Sequence, residues 1–214
     1  MRLVIVLTLF FLLLMATFCP AQDLEERVGR ERASPRIMIV IDVSGSMLGD
    51  KLAEAINSAI NIALGPTDDL EVGIIIFNEV ATRLIDHTTG KLWFQLPSQP
   101  VADAMRHNLF SHSATGMTNP NVALQMAFAA KTQCVVLITD GEFNAGGDPI
   151  VSVKAAQKKL KGTGDWLPNF VLMGVKCSPA DEARLKKLAK ETGGQLWTPA
   201  GKDTTTECAP KTLH

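Results

Sequence analysis

Short apolar runs alternate with segments of helical period along most of the chain. Residues 37–41 read Ile-Met-Ile-Val-Ile, the composition of a strand buried on both faces. Residues 50–64 follow with Leu52, Ala55, Ile56, Ala59, Ile60 and Ala63 at helical spacing, stopped by Gly65 and Pro66. Residues 72–77 form a second apolar run, whereas 80–85 alternate. The link Phe77-Asn78-Glu79-Val80 predicts a hairpin that lays an antiparallel strand on the sheet edge. Further helices are predicted over 101–110, 119–130, 150–160 and 179–191, and strands over 135–139, 170–175 and 195–198. Strands separated by helices imply right-handed crossovers. The expected fold is therefore α/β and doubly wound: a mostly parallel six-stranded sheet with one antiparallel edge strand and helices on both faces.

The two ends break this alternation. Among residues 1–21 only Arg2, Thr8, Thr17 and Pro20 are not hydrophobic; a basic start, an apolar run and the end Cys19-Pro20-Ala21 predict a signal peptide cleaved after Ala21. The run over 3–16 is shorter than the ~18 to 20 residues of a membrane-spanning helix. Left uncleaved, it would anchor the chain in a membrane. The expected location is outside the cytoplasm, periplasmic or secreted. Residues 22–35 are charged and end in Pro35, a linker; 36–200 form the domain and 201–214 a polar tail.

Composition adds two constraints. The 214 residues carry 21 Lys+Arg against 22 Asp+Glu, a net charge of −1, so no positive field favours a nucleic-acid partner. The charge is nonetheless uneven, with nine basic and sixteen acidic residues over 22–150 and ten basic and four acidic over 151–202. Solvated outer helix faces account for the basic half, which could also meet an acidic partner or a lipid surface. Cys134 lies in an apolar run and reads as a buried strand residue. In an oxidising compartment Cys177 and Cys208 are then the expected disulfide, stabilising by about 3 to 4 kcal/mol on the chain-entropy account.

The candidate chemistry lies where predicted strands end. The first buried run leads into Asp42-Val-Ser44-Gly-Ser46, another into Thr139-Asp140-Gly141, and the loop before the 119–130 helix holds Thr118. Ligands of open α/β sheets bind past the carboxyl ends of such strands. Gathered at one point, Asp42, Ser44, Ser46, Thr118 and Asp140 present hard oxygens without His or Cys, a set suited to Mg²⁺ or Mn²⁺ with room for an outside oxygen. The serines and Asp42 could alternatively do no more than cap the helix near Asp50. Glu142 and Asn144, just after Asp140, could rim the site but read as solvated loop; His107 and His112 read as surface residues without a third zinc ligand, and Trp93-Phe94 as edge-of-core packing.

The pattern resembles the von Willebrand factor type A family, the integrin I-like fold, whose metal-ion-dependent adhesion site reads D-x-S-x-S, then T, then D. Here those positions are Asp42, Ser44, Ser46, Thr118 and Asp140, flanked by Gly116-Met-Thr118 and Thr139-Asp140-Gly141, and the resemblance spans about residues 36–200. It implies a binding module that takes a divalent cation and docks a Glu or Asp of a protein partner in an adhesion or assembly role. It also implies that Ser44, Ser46 and Thr118 touch the metal while Asp42 and Asp140 act through water. Two other functions compete. A metal-dependent hydrolase is disfavoured because Ser44 lacks a G-x-S-x-G elbow and a neighbouring His, and the chain is not expected to be an enzyme. A structural domain binding through its basic helices would leave two carboxylates facing each other without a cation.

Overall fold

In a computed structural model, residues 35–197 are described, except 66–68, 88 and 97. The predicted signal peptide, most of the linker, the tail and Cys208 lie outside the described residues. Strand β1 (Arg36–Asp42) takes the first apolar run, and a short 3₁₀ turn (Gly45–Met47) leads to helix α1 (Asp50–Ala63). Then come β2 (Leu70–Phe77), β3 (Ala81–Arg83), β4 (Phe94–Leu96), α2 (Gln99–Phe110), α3 (Asn121–Ala129) and β5 (Cys134–Thr139). The chain continues through α4 (Pro149–Thr163), β6 (Asn169–Gly174), α5 (Pro179–Thr192) and β7 (Gln195–Trp197).

The sheet runs β3-β2-β1-β5-β6-β7, and every pair among β2, β1, β5, β6 and β7 is parallel. Alternate β1 residues serve different faces, which is why the run has no polar gap. Ile37, Ile39 and Ile41 pack with α1 and α2, while Met38 and Val40 pack with α3, α4 and α5. The expected doubly wound fold is present, with one correction to its strand count. The sheet has seven strands, because β4 also pairs antiparallel with β2, through Leu70 opposite Leu96, at the end away from the β3 hairpin. Three residues are too few for a period to show, so only the pairing with β2 makes Phe94–Leu96 a strand.

Trp93, beside β4, is held between the guanidinium groups of Arg36 and Arg83, 5.1 and 4.8 Å from its ring centre. Phe94 is buried. The two aromatics therefore pack against the sheet edge, as the sequence suggested. Helices α4 and α5 each begin with Pro and end with a left-handed Gly, at Gly164 and Gly193, the asymmetry favoured at helix ends.

Candidate metal centre

β1 and β5 are adjacent and parallel, so Asp42 and Thr139-Asp140 emerge from the same sheet end. Asp42 is fully buried, and both its oxygens are engaged by the chain. Oδ1 accepts from the Ser44 backbone N–H at 2.9 Å and Oδ2 from the Thr139 hydroxyl at 2.6 Å. The first bond folds the loop back on itself, aiming Ser44 and Ser46 to one side with their hydroxyls 3.2 Å apart. The Ser46 hydroxyl lies 3.3 Å from Asp140 Oδ1, closing a chain from Asp42 through both serines to Asp140.

Capping does not account for these residues. The residue before α1 is Gly49, and no side chain caps that helix or the 3₁₀ turn. Capping is instead seen at α4 and α5, where Asp148 and Ser178 accept from the backbone N–H groups of Ile150 and Asp181.

Thr118 arrives on the loop before α3, which is pinned from three sides. Gly45 N donates to Gly116 O at 2.9 Å, Met117 N to Glu79 Oε1 at 3.0 Å, and Thr118 N to Asn144 Oδ1 at 2.7 Å. Asn144, assigned above to solvated loop, is thus a structural part of the site. Glu142 also joins it, through a backbone N–H donated to Asp140 Oδ1 at 3.1 Å. Their exposed side chains gave no hydrophobic signal, and only the meeting of two distant loops gives them a role. Asn144→Ala is expected to leave the buried Thr118 N–H without its acceptor, lowering stability by about 1 to 3 kcal/mol in a urea melt.

Thr118 itself is fully buried, and its Oγ1 has no hydrogen-bond partner among the described residues. A buried hydroxyl without a partner is costly, and such groups call for an explanation. Burial also pushes the Asp42 carboxyl up to about 6, against the opposing hydrogen bonds of Ser44 and Thr139 and with a smaller upward push from Asp140. Both facts fit a divalent cation, which would accept a lone pair from Thr118 and offset the desolvated charge. Among the described residues no three of His, Cys, Asp and Glu gather, so hydroxyls would dominate the donor set.

One residue that sequence reasoning passed over stands at this site. Lys51, in the first turn of α1, places Nζ 2.6 Å from Asp140 Oδ2. Burial alone would lower its affinity for a proton; the hydrogen bond and charge of Asp140, then the charge of Glu142, outweigh that and hold Lys51 above its ordinary value. Cys177, half-buried nearby, forms no disulfide among the described residues, and burial, with the charges of Asp140, Asp181 and Glu182, pushes its thiol up to about 11. The other end of the expected Cys177–Cys208 bridge, Cys208, lies outside the described residues.

A family model described as von Willebrand factor type A domain matches residues 37–142. The chain carries a von Willebrand factor type A domain. Its match ends just past Asp140, so it contains every one of the five candidate ligand positions. An uncharacterized Escherichia coli (strain K12) protein, YfbK, is 25% identical over 181 residues, covering 79% of this chain and 29% of that protein. The chain thus spans less than a third of that relative's length. Among solved structures, an aerotolerance-related membrane protein from Bacteroides fragilis superposes with a TM-score of 0.56 at 19% identity, covering 77% of this chain and 90% of that one. A von Willebrand factor type A protein from Catenulispora acidiphila gives 0.52 at 20% identity, over 78% and 38%. At these identities the two structures establish the type A fold. No helix among the described residues is long and apolar enough to cross a membrane.

Proposed function

We propose that this von Willebrand factor type A domain binds Mg²⁺ or Mn²⁺ through the hydroxyls of Ser44, Ser46 and Thr118 and uses the site to hold a Glu or Asp carboxylate of a protein partner. A bound cation supplies positive charge and an open coordination position for that carboxylate. Asp42 orients the Ser44 loop and, with Thr139, keeps it rigid, the supporting task that conditions metal affinity. Asp140 shares the Ser46 hydroxyl and brings the second negative charge. The observation that carries the proposal is the buried, unpartnered Thr118 Oγ1.

Thr118→Val tests it with two readouts that move apart. Removing a hydroxyl that makes no hydrogen bond is expected to leave thermal stability in chelator unchanged or raised. Mn²⁺ affinity by calorimetry is expected to fall about 10- to 100-fold, the range found when groups around a metal are removed. Equal Mn²⁺ affinity in the two proteins would defeat the assignment of Thr118 as a ligand.

The domain acts as a binding module and not as an enzyme. Ser44 Oγ has Ser46 Oγ as its hydrogen-bond partner and, among the described residues, no histidine hydrogen-bonded to it that could act as a base. Its setting is outside the cytoplasm, on the strength of the residue 1–21 pattern. Retention of a partner in Mg²⁺, its release by chelator and its loss with Ser44→Ala are the expected results of a pull-down from the exported fraction.

A further inference from the structure

Lys51 is placed against the local rule for helices. A positive charge in the first turn opposes the macrodipole, and α1 has Asp50 and then Lys51 at that end. What compensates is Asp140, whose side chain is 2% exposed and whose Oδ2 lies 2.6 Å from Nζ of a Lys51 side chain that is 31% exposed. The other oxygen, Oδ1, accepts from Ser46 and from the Glu142 backbone. The protein has therefore built one of its own cations into the group proposed to serve a metal.

We propose that Lys51 is an internal counter-ion of the cation site: it weakens binding of the cation alone and couples cation binding to capture of the partner's carboxylate. This inference rests on the cation-site assignment above. The charges of the three buried or half-buried groups decide its direction. Asp42, Asp140 and Lys51 together carry one net negative charge. A divalent cation turns this into one net positive charge, and an incoming carboxylate brings it to neutrality. Were Lys51 uncharged, the cation alone would reach neutrality and the carboxylate would add an unbalanced negative charge. Lys51 thus shifts attraction from the cation to the ligand, and each must strengthen the other by the same factor. Glu142 also faces Lys51, but its side chain is exposed and its charge is screened by water.

The test is calorimetric titration of Mn²⁺ into the full chain, with and without sodium acetate as a carboxylate probe at matched ionic strength. Lys51→Met and Lys51→Gln are expected to bind Mn²⁺ about tenfold more tightly than wild type without acetate, since a nearby like charge has gone. Acetate is expected to strengthen Mn²⁺ binding in wild type and Lys51→Arg, and far less in the Met and Gln variants. Gln can still donate a hydrogen bond to Asp140. Tighter binding in Met with wild-type affinity in Gln would therefore show that Lys51 only positions Asp140, and would overturn the counter-ion role. Unchanged or weaker Mn²⁺ binding in folded Lys51→Met, while Ser44→Ala still abolishes binding, overturns this inference alone. Absence of Mn²⁺ binding in wild type, or binding indifferent to Ser44→Ala, removes the cation site and this inference with it.

Discussion

Asp42→Asn is expected to make the metal-free protein more stable at neutral pH while lowering its Mn²⁺ affinity by about 100-fold. The substitution keeps the geometry and removes the charge: the amide oxygen can accept from Ser44 N–H, and the amide nitrogen can donate to the Thr139 hydroxyl that now bonds Oδ2. The wild-type carboxyl is raised from 3.8 to about 6, chiefly by burial. Between those values the folded state holds a proton that the unfolded state has lost, so stability contributed by this group falls as pH rises through the window. Above about pH 6 the cost is complete, about 2 to 3 kcal/mol. Urea melts in chelator from about pH 4 to about pH 7 should show that decline in wild type, with the decline smaller by that amount in Asp42→Asn. Parallel pH profiles for the two proteins would mean that Asp42 is not the charge held at a cost. The trade of stability for a charged site is the usual one at functional centres.

Gly141→Ala is expected to cost about 2 to 4 kcal/mol, combining strain and crowding. Gly141 has φ +83, and an added Cβ would stand 3.1 Å from Asp181 Cβ, Asp181 O and Leu185 Cγ of α5. The neighbour is partly backbone, so it cannot turn aside as a flexible side-chain tip would. The residue also binds its surroundings through both peptide groups: its N–H donates to Thr139 Oγ1 at 3.0 Å, and its carbonyl accepts from Arg184 Nη1 at 2.9 Å. Displacing it moves Asp140, so Mn²⁺ affinity should fall about tenfold along with the melting temperature. Gly147 is the control, with the same φ of +83 but no atom within 4 Å of an added Cβ. Gly147→Ala should show only the strain, about 1 to 2 kcal/mol, and wild-type Mn²⁺ affinity.

The contrast between these glycines shows where a sequence stops being informative. Gly141 follows a buried strand and Gly147 a polar loop, but neither neighbourhood reveals that Gly141 is pressed against a helix that begins 38 residues later in the chain. Asn144 and Lys51 teach the same point. Asn144 accepts from Thr118 N–H across 26 residues, and Lys51 meets Asp140 across 89. Lys51 did leave one legible trace, a basic residue at the wrong end of a helix, but a trace of that kind names no partner.

What the sequence determined by itself was the alternation of buried strands with amphipathic helices, because burial on both faces demands an unbroken apolar run and burial on one demands a helical stripe. From that alternation came the doubly wound sheet and the position of Asp42, Ser44, Ser46, Thr118 and Asp140 at element ends. Only the tertiary structure decided that β4 is a strand, since its three residues gain that conformation from β2. It also decided that both oxygens of Asp42 are spoken for, that Thr118 Oγ1 is not, and that Lys51 sits on Asp140. Those facts belong to hydrogen bonds and charges between segments far apart in the chain, and their strength depends on burial that no single segment possesses alone.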